Sequence, residues 1–380
     1  MKAFISVALI FIIVLTIGCL GSSSSSVAPN LAFVYIVGEG SNSILAQAIK
    51  STGELSSLPL AAFATNPRPV SLALTPSKNF LYVSNQTANT ISGFTLDHTT
   101  GVLTPIGTAV PPTPVCTSPA VCANPNAVGI DSKGQFLYVL NQGQAPSIPA
   151  SISIFSIDAT RGLLTPIAGS PFQFPSLPAG NPQFLVMSPN SSALYVSTGL
   201  SNTIVEFSIA SNGTLTQIGT INGAAGGDIV GMTIDSKGQF LYAADFVNDT
   251  IASLSVQSNG TLTPVAGSPF PTHSGPFALA VNGPGTFLFS AEQGAAGVSS
   301  FTVNSGVLTP VAGSPFVLVS SGSPQPDFAV VDPTNTFLYV ANAGTHNISG
   351  YTIKPDGTLV ALTNSPFGQT VGPQWMVITQ

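Results

Sequence analysis

The sequence predicts an all-β, seven-bladed β-propeller built of four-stranded antiparallel blades, its ring closed by the C-terminal strand joining the N-terminal blade. Three observations predict it. A Phe-Leu-Tyr-Val-like segment recurs seven times, each copy is flanked by further strand signals, and the chain ends on a strand that its first repeat lacks. The copies are Phe80-Leu81-Tyr82-Val83, Phe136-Leu137-Tyr138-Val139, Phe240-Leu241-Tyr242-Ala243 and Phe337-Leu338-Tyr339-Val340, with weaker ones at 33–36, 193–196 and 287–290. Their third residues stand at 35, 82, 138, 195, 242, 289 and 339. Repeats of about 50 residues in an all-β pattern are propeller blades.

Each blade is justified strand by strand. An apolar run ends eight residues before the third residue of each copy, at Leu74, Ile130, Met187, Ile234, Val281 and Val331. It is apolar on both faces, as an innermost strand sandwiched between neighbouring blades must be. A turn such as Asp131-Ser132-Lys133-Gly134 leads into the Tyr-bearing strand. Third strands read 90–94, 151–155, 203–207, 250–254, 298–301 and 347–351, and the fourth opens on Gly-x-Leu-Thr at 101–104, 162–165, 213–216, 260–263 and 306–309. Asn212-Gly213, Asn259-Gly260 and Asp356-Gly357 suit the tight hairpins between them. The first repeat has no innermost strand, while Pro373-Gln374-Trp375-Met376-Val377-Ile378 matches Pro326-Asp327-Phe328-Ala329-Val330-Val331 and is left over. Donating it to the first blade seals the ring and removes two exposed edges. The Ala-Gly-Ser-Pro-Phe copies at 168–172, 266–270 and 312–316 read as structural links between blades.

The propeller is expected over 31–380. Ahead of it, Lys2, an apolar run over 3–17 and Gly18 describe a secretory signal peptide at 1–18. Fifteen apolar residues are short for the roughly 30 Å of a bilayer core. Gly18-Cys19 resembles the end of a bacterial lipoprotein signal, which implies lipidation at Cys19 and a Ser-rich tether over 19–30. The chain is then exported and membrane-anchored in a bacterial cell envelope through its lipid alone, or otherwise secreted. Cys116 and Cys122 share a Pro-rich loop, where an oxidising compartment favours a local disulfide.

Only 6% of residues are charged, and 8 Lys+Arg against 14 Asp+Glu give a net charge of −6. That excludes a nucleic-acid footprint. Three His in 380 residues leave little material for acid–base or metal chemistry. In an alternating blade the start of strand one and the end of strand two share one face, and the long insertions at 106–124, 141–150, 169–181 and 313–325 fall there. This loop-rich face is the expected binding surface, with Glu39, Arg68, Asn126, Gln183, Asp245, Asp327, Gln374 and Trp375 as candidates. Asn85, Asn141, Asp228, Glu292 and Asn342 belong to the same inventory. Glu39, Asp228, Asp245, Glu292 and Asp327 could hold a structural Ca²⁺ if they converge, but no Asp-x-Asp loop supports this, and no metal or cofactor is expected. His273 lies in an interblade loop, His346 follows a second strand, and His98 belongs to the opposite face. Trp375, Phe184 and Phe328 occupy equivalent positions and either pack between blades or floor the mouth for a sugar ring.

The combined pattern Pro-x-x-apolar, Phe-Leu-Tyr-Val and Gly-x-Leu-Thr-Pro resembles the lactonase, or cycloisomerase 2, family of propellers, which includes 6-phosphogluconolactonase-like enzymes and shares its Tyr-Val-x-Asn type repeats with bacterial envelope propellers. The resemblance implies lactone hydrolysis by a Pro-Arg-His motif at an inner strand. Here the Arg position holds Val70, Asn126, Gln183, Val230, Phe277, Asp327 and Gln374, and the His position holds Ser71, Ala127, Phe184, Gly231, Ala278, Phe328 and Trp375. The candidate catalytic residues are therefore Asp228 or Glu292 as base beside Arg68 or His273 as electrophile. The leading expectation is a monomeric binding module for a small molecule, polysaccharide or protein; the alternative is a sugar-lactone hydrolase.

Overall fold

The computed structural model describes residues 32–110, 123–143, 149–174, 182–199, 202–222, 226–318, 322–369 and 372–379. The leader, Cys19, Cys116 and Cys122 lie outside the described residues.

All seven Tyr-like segments become second strands of seven separate sheets. In blade 2 the innermost strand Pro69–Leu74 pairs with Phe80–Asn85, then Thr90–Leu96, then Leu103–Pro105. Blades 3 to 7 repeat this order, beginning at Pro125, Phe184, Ile229, Pro276 and Pro326. Blade 1 takes its innermost strand, Gly372–Ile378, from the chain end and adds Ala32–Glu39, Ser43–Ile49 and Leu55–Ala64. The closing register runs Val34↔Ile378, Tyr35↔Val377, Ile36↔Met376 and Val37↔Trp375. Phe33 and Thr379 lock its end: the Phe33 amide donates to Thr379 Oγ1 (2.8 Å) and the Thr379 amide to the Phe33 carbonyl (2.9 Å).

The core lies between blades. Tyr35, Val37 and Ile44 of blade 1 pack on Leu72, Leu81 and Phe94 of blade 2, and Val34, Ile36 and Met376 pack on Phe337, Tyr339 and Ile348 of blade 7. The tyrosines add a polar seam. Tyr35, Tyr82, Tyr138, Tyr195 and Tyr339 each donate to the carbonyl of the hairpin glycine in the next blade, namely Gly101, Gly162, Gly213, Gly260 and Gly53, at 2.7–3.0 Å. Gly101 has φ +73, and a Cβ there would stand 2.6 Å from the Phe33 ring. The hairpin therefore needs glycine for both its backbone and its neighbour.

Two blades solve the same problem differently. Blade 6 has Phe289 in place of the tyrosine, and Ser300 Oγ reaches the Gly357 carbonyl instead (2.8 Å). In blade 5, Ser253 Oγ takes the Gly306 carbonyl (2.6 Å), leaving the buried Tyr242 hydroxyl without a partner among the described residues. A buried carbonyl stripped of its donor costs about 1–3 kcal/mol. Tyr82→Phe is thus expected to destabilise by about that amount, whereas Tyr242→Phe removes only a buried unpaired hydroxyl and is neutral or stabilising. Paired denaturant titrations check the contrast; equal losses would refute it.

The Ser-Pro-Phe segments do more than link blades. Phe172–Gln173, Phe270–Pro271 and Phe316–Val317 form short strands against the third strand of their own blade. Ser170, Ser268 and Ser314 accept through Oγ from the amides of Ile154, Ser253 and Ser300 at 2.8–2.9 Å. Phe367–Gly368 is a fourth case, with Ser365 accepting from the Gly350 amide.

Candidate functional site

A bulge at the start of the inner strands builds the site. The register slips between Pro69 and Ser71, Pro125 and Ala127, Ile229 and Gly231, Pro276 and Ala278, and Pro326 and Phe328. A bulged residue leaves the ladder and its side chain is re-aimed. The residue skipped by the ladder is the one after the proline or its equivalent, namely Val70, Asn126, Val230, Phe277 and Asp327, with Gln374 skipped likewise in blade 1. Blade 4 shows no slip, and Gln183 directly precedes its inner strand. Val70, Asn126, Gln183, Val230, Phe277, Asp327 and Gln374 all line one cavity of about 400 Å³, within the usual size of small-ligand sites.

Its floor is aromatic. Trp375 stacks between Phe184 (centroids 5.0 Å apart, 28° between planes) and Phe328 (4.5 Å, 30°). These side chains come from blades 4, 1 and 7, so the axis holds a stack reaching across the ring as well as packing between neighbours. Gly231 occupies the same position in blade 5, where a Cβ would stand 2.3 Å from the Phe277 carbonyl; that blade has no room for a side chain there.

One wall is made of amides. Gln86 Nε2 and Asn124 Nδ2 both donate to Gln142 Oε1 (3.2 Å each), and Asn126 Nδ2 donates to the Gln183 carbonyl (2.8 Å). Charge enters through Arg68 and Asp327, which line the same cavity. Arg68 immediately precedes the inner-strand proline and has φ +58, a left-handed conformation costing a non-glycine residue about 1–3 kcal/mol. Asn124 and Gln325 precede Pro125 and Pro326 with φ +58 and +45, so the strained residue recurs at the mouth. Gln293 Nε2 donates to Asp327 Oδ1 (3.0 Å).

Arg68, Asn126, Gln183, Asp327, Gln374 and Trp375 are thus brought together, with Gln86, Asn124, Gln142 and Phe277 added to them. The added glutamines follow the polar residue ending the second strand, in Asn85-Gln86 and Asn141-Gln142, a repeated pair visible in the sequence.

Other candidates do not line this cavity. Asp245 is fully buried and caps its own turn, accepting from the Val247 and Asn248 amides (3.1 Å each) and from Asn248 Nδ2 (2.8 Å). Glu292 is fully buried and latches the loop entering blade 6: its Oε1 accepts from the Thr272 hydroxyl and the His273 amide. His273 is exposed, with Nδ1 3.2 Å from Ser299 Oγ. Asp228 stands beside the cavity-lining strand with Oδ1 buried. His98 and His346 are exposed, and the side chain of Glu39 lies outside the described residues. Among the described residues no three His, Cys, Asp or Glu converge as a metal site.

Burial raises the carboxyls of Glu206, Asp228 and Glu292; the charge of Asp245 adds to the effect at Asp228, while hydrogen bonds oppose it at Glu206 and Glu292. An acid raised in the folded state contributes stability that is complete below the ordinary carboxylate range and lost as pH rises through its folded value. Asp158, held at about 2 chiefly by hydrogen bonds from Arg161, acts oppositely, but only below the ordinary range and at an exposed turn. The melting temperature is therefore expected to be higher at pH 5 than at pH 8. Glu292→Gln should flatten that slope; an unchanged or steeper slope would sink the assignment to Glu292.

A family model described as Lactonase, 7-bladed beta-propeller matches residues 20–119 and 173–320. Among solved structures, a provisional 6-phosphogluconolactonase of Bacteroides uniformis superposes with a TM-score of 0.75 at 18% identity, over 92% of this chain and 99% of that one. A second, from Bacteroides fragilis, gives 0.74 at 19% identity over 94% and 99%. The periplasmic gluconolactonase of Pseudomonas aeruginosa gives 0.73 at 17% over 92% and 99%. At these identities the likeness is one of fold. A search of curated proteins finds no match.

Proposed function

Because the chain belongs to the lactonase family of seven-bladed β-propellers, we propose that its axial cup binds a neutral, sugar-derived lactone and opens it by hydrolysis. One observation supports the reading above others: Arg68 and Asp327 line a single cavity with an aromatic floor and an amide wall. Lactone opening needs a donor for the oxyanion that develops on the carbonyl oxygen and a group that accepts a proton from the attacking water. Arg68 supplies the first and Asp327 the second. Water adds to the carbonyl carbon, the ring C–O bond breaks, and the released oxygen leaves protonated as the hydroxyl of a hydroxy acid. The aromatic stack offers a flat apolar face to the sugar ring, and Gln86, Asn126, Gln142 and Gln183 offer donors and acceptors to its hydroxyls.

The charge of the cup argues for a neutral substrate. Its described lining carries one cation and one carboxylate, and segments 111–122, 144–148, 175–181, 223–225 and 319–321 contain no Lys, Arg or His. A phosphate dianion would meet one guanidinium opposed by an acid. A leader at residues 1–18 would also place the chain where unphosphorylated sugars are met.

A second reading, capture without turnover, draws on the absence of an imidazole among the described cavity-lining residues. Incubating the purified full chain with glucono-δ-lactone or its 6-phosphate, with acid release followed by titration, separates the two. Release above the spontaneous rate, faster for the neutral lactone, is expected. Saturable binding of both lactone and open acid without release would replace hydrolysis by capture.

A further inference from the structure

Blades 2 and 6 carry the same device. Gln86, the residue after the second strand of blade 2, points Nε2 at Asn126 Oδ1 of blade 3 (3.5 Å) and also reaches Gln142. Gln293, its equivalent in blade 6, donates through Nε2 to Asp327 Oδ1 of blade 7 at 3.0 Å. Both acceptors stand on the bulged position that faces the axis. The glutamine of one blade thus holds the cavity-lining residue of the next, and the blade 6 link is the shorter and more direct.

Gln293 is itself firmly seated. Its amide donates to the Gly275 carbonyl (2.8 Å), and the Ala295 amide donates to the Ser274 carbonyl (3.0 Å). Glu292 beside it is fully buried and grips Thr272 and His273 of the same loop, while Asp249 Oδ1 accepts from the Gly275 amide (2.7 Å). Two turns are stitched together immediately behind the glutamine, so the donor reaching Asp327 projects from a rigid base.

We propose that Gln293 is a positioning residue, orienting the Asp327 carboxylate toward the axis and favouring its ionised form; as a step in catalysis this rests on the hydrolase reading above. A neutral N–H donor to one carboxylate oxygen stabilises the anion and restricts rotation of the group, so that the carboxylate meets the attacking water in a constant geometry. Among the described residues, the titratable groups on the stitched turns are Asp249, His273 and Glu292, and Arg68 is the charged group that shares the cavity with Asp327.

The test is direct titration of the Asp327 carboxyl by carbon-detected NMR of the full chain, its resonance assigned by its loss in Asp327→Asn. In Gln293→Met, of similar length but without a donor, Asp327 should ionise at higher pH than in the parent. In Gln293→Glu, where a like charge replaces the donor, it should move further the same way. Gln86→Met, which alters the equivalent contact to Asn126, should leave the Asp327 titration in place. If the hydrolase reading holds, Gln293→Met also lowers kcat by about tenfold while KM changes less than about twofold, because orientation acts on the reacting complex rather than on ring binding. Identical Asp327 titrations in the parent and both Gln293 variants would overturn the proposal, whatever the activity. A displaced titration in a chain that never turns over a lactone would uphold the positioning role and defeat the hydrolase reading alone.

Discussion

A chain shortened by residues 372–380 is expected to lose its cooperative melt and become broadly sensitive to protease. The last strand is the innermost element of blade 1, paired from Val34↔Ile378 to Val37↔Trp375. Met376 and Ile378 are 1% and 8% exposed within the seam shared with blade 7, and Trp375 joins the axial stack. Burying each such side chain is worth about 1.5–3 kcal/mol, against a net folding stability of about 5–15 kcal/mol. Removal also opens blade 1 along the face of Ala32–Glu39 and breaks the ring, so the loss extends to the blade 7 seam and to the floor of the cup. Met376→Asp is the subtler version, since it keeps the strand but buries an unpaired carboxylate. Scanning calorimetry and timed proteolysis read both variants. A shortened chain that melts like the parent would mean the ring is held by its other six seams and that closure is incidental.

What was legible in the sequence was the part dictated by repetition. Seven Tyr-like strands, their glycine hairpins and the leftover C-terminal strand each follow from a local rule applied many times, and they appear where the repeats place them. The position after the inner-strand proline could likewise be named, and all seven of its occupants meet at the axis. What could not be read was direction. Asp245 and Glu292 stand at the rim in register, yet each turns inward to satisfy backbone amides, because a buried chain reversal needs acceptors more than the cup needs charge. The bulge that re-aims Asp327 leaves no compositional mark, and Gln293 gains meaning only when blade 7 is seated beside it. Ser253 and Ser300 replace the tyrosine seam from a different strand, an exchange that no alignment of the repeats would suggest. The Arg68 guanidinium was legible as the cation of this face, but the carboxylate sharing its cavity was not singled out as a base: it is Asp327 rather than Asp228 or Glu292.

That last pairing sets the largest expected effect on activity. Arg68→Gln is expected to lower lactone turnover by about 10²–10³-fold, the usual consequence of removing one donor to a developing oxyanion, with little change in stability because Arg68 is exposed and its left-handed backbone suits Gln no worse. Asp327→Asn should cost about 10²–10⁴-fold through loss of the proton acceptor. The two should not add: once the acceptor is gone, a donor to an oxyanion that rarely forms has little left to stabilise, so the double variant should resemble Asp327→Asn. Glu292→Gln, by contrast, alters a latch outside the cavity that acts on Asp327 only through the seating of Gln293, and should lower turnover by less than the roughly tenfold expected for Gln293→Met. Steady-state kinetics on the four chains, with acid release as the readout, distinguish the outcomes. Turnover surviving Arg68→Gln and Asp327→Asn but lost in Glu292→Gln would move the chemistry away from the axis to the blade 6 rim, and the cup would then be a binding surface only.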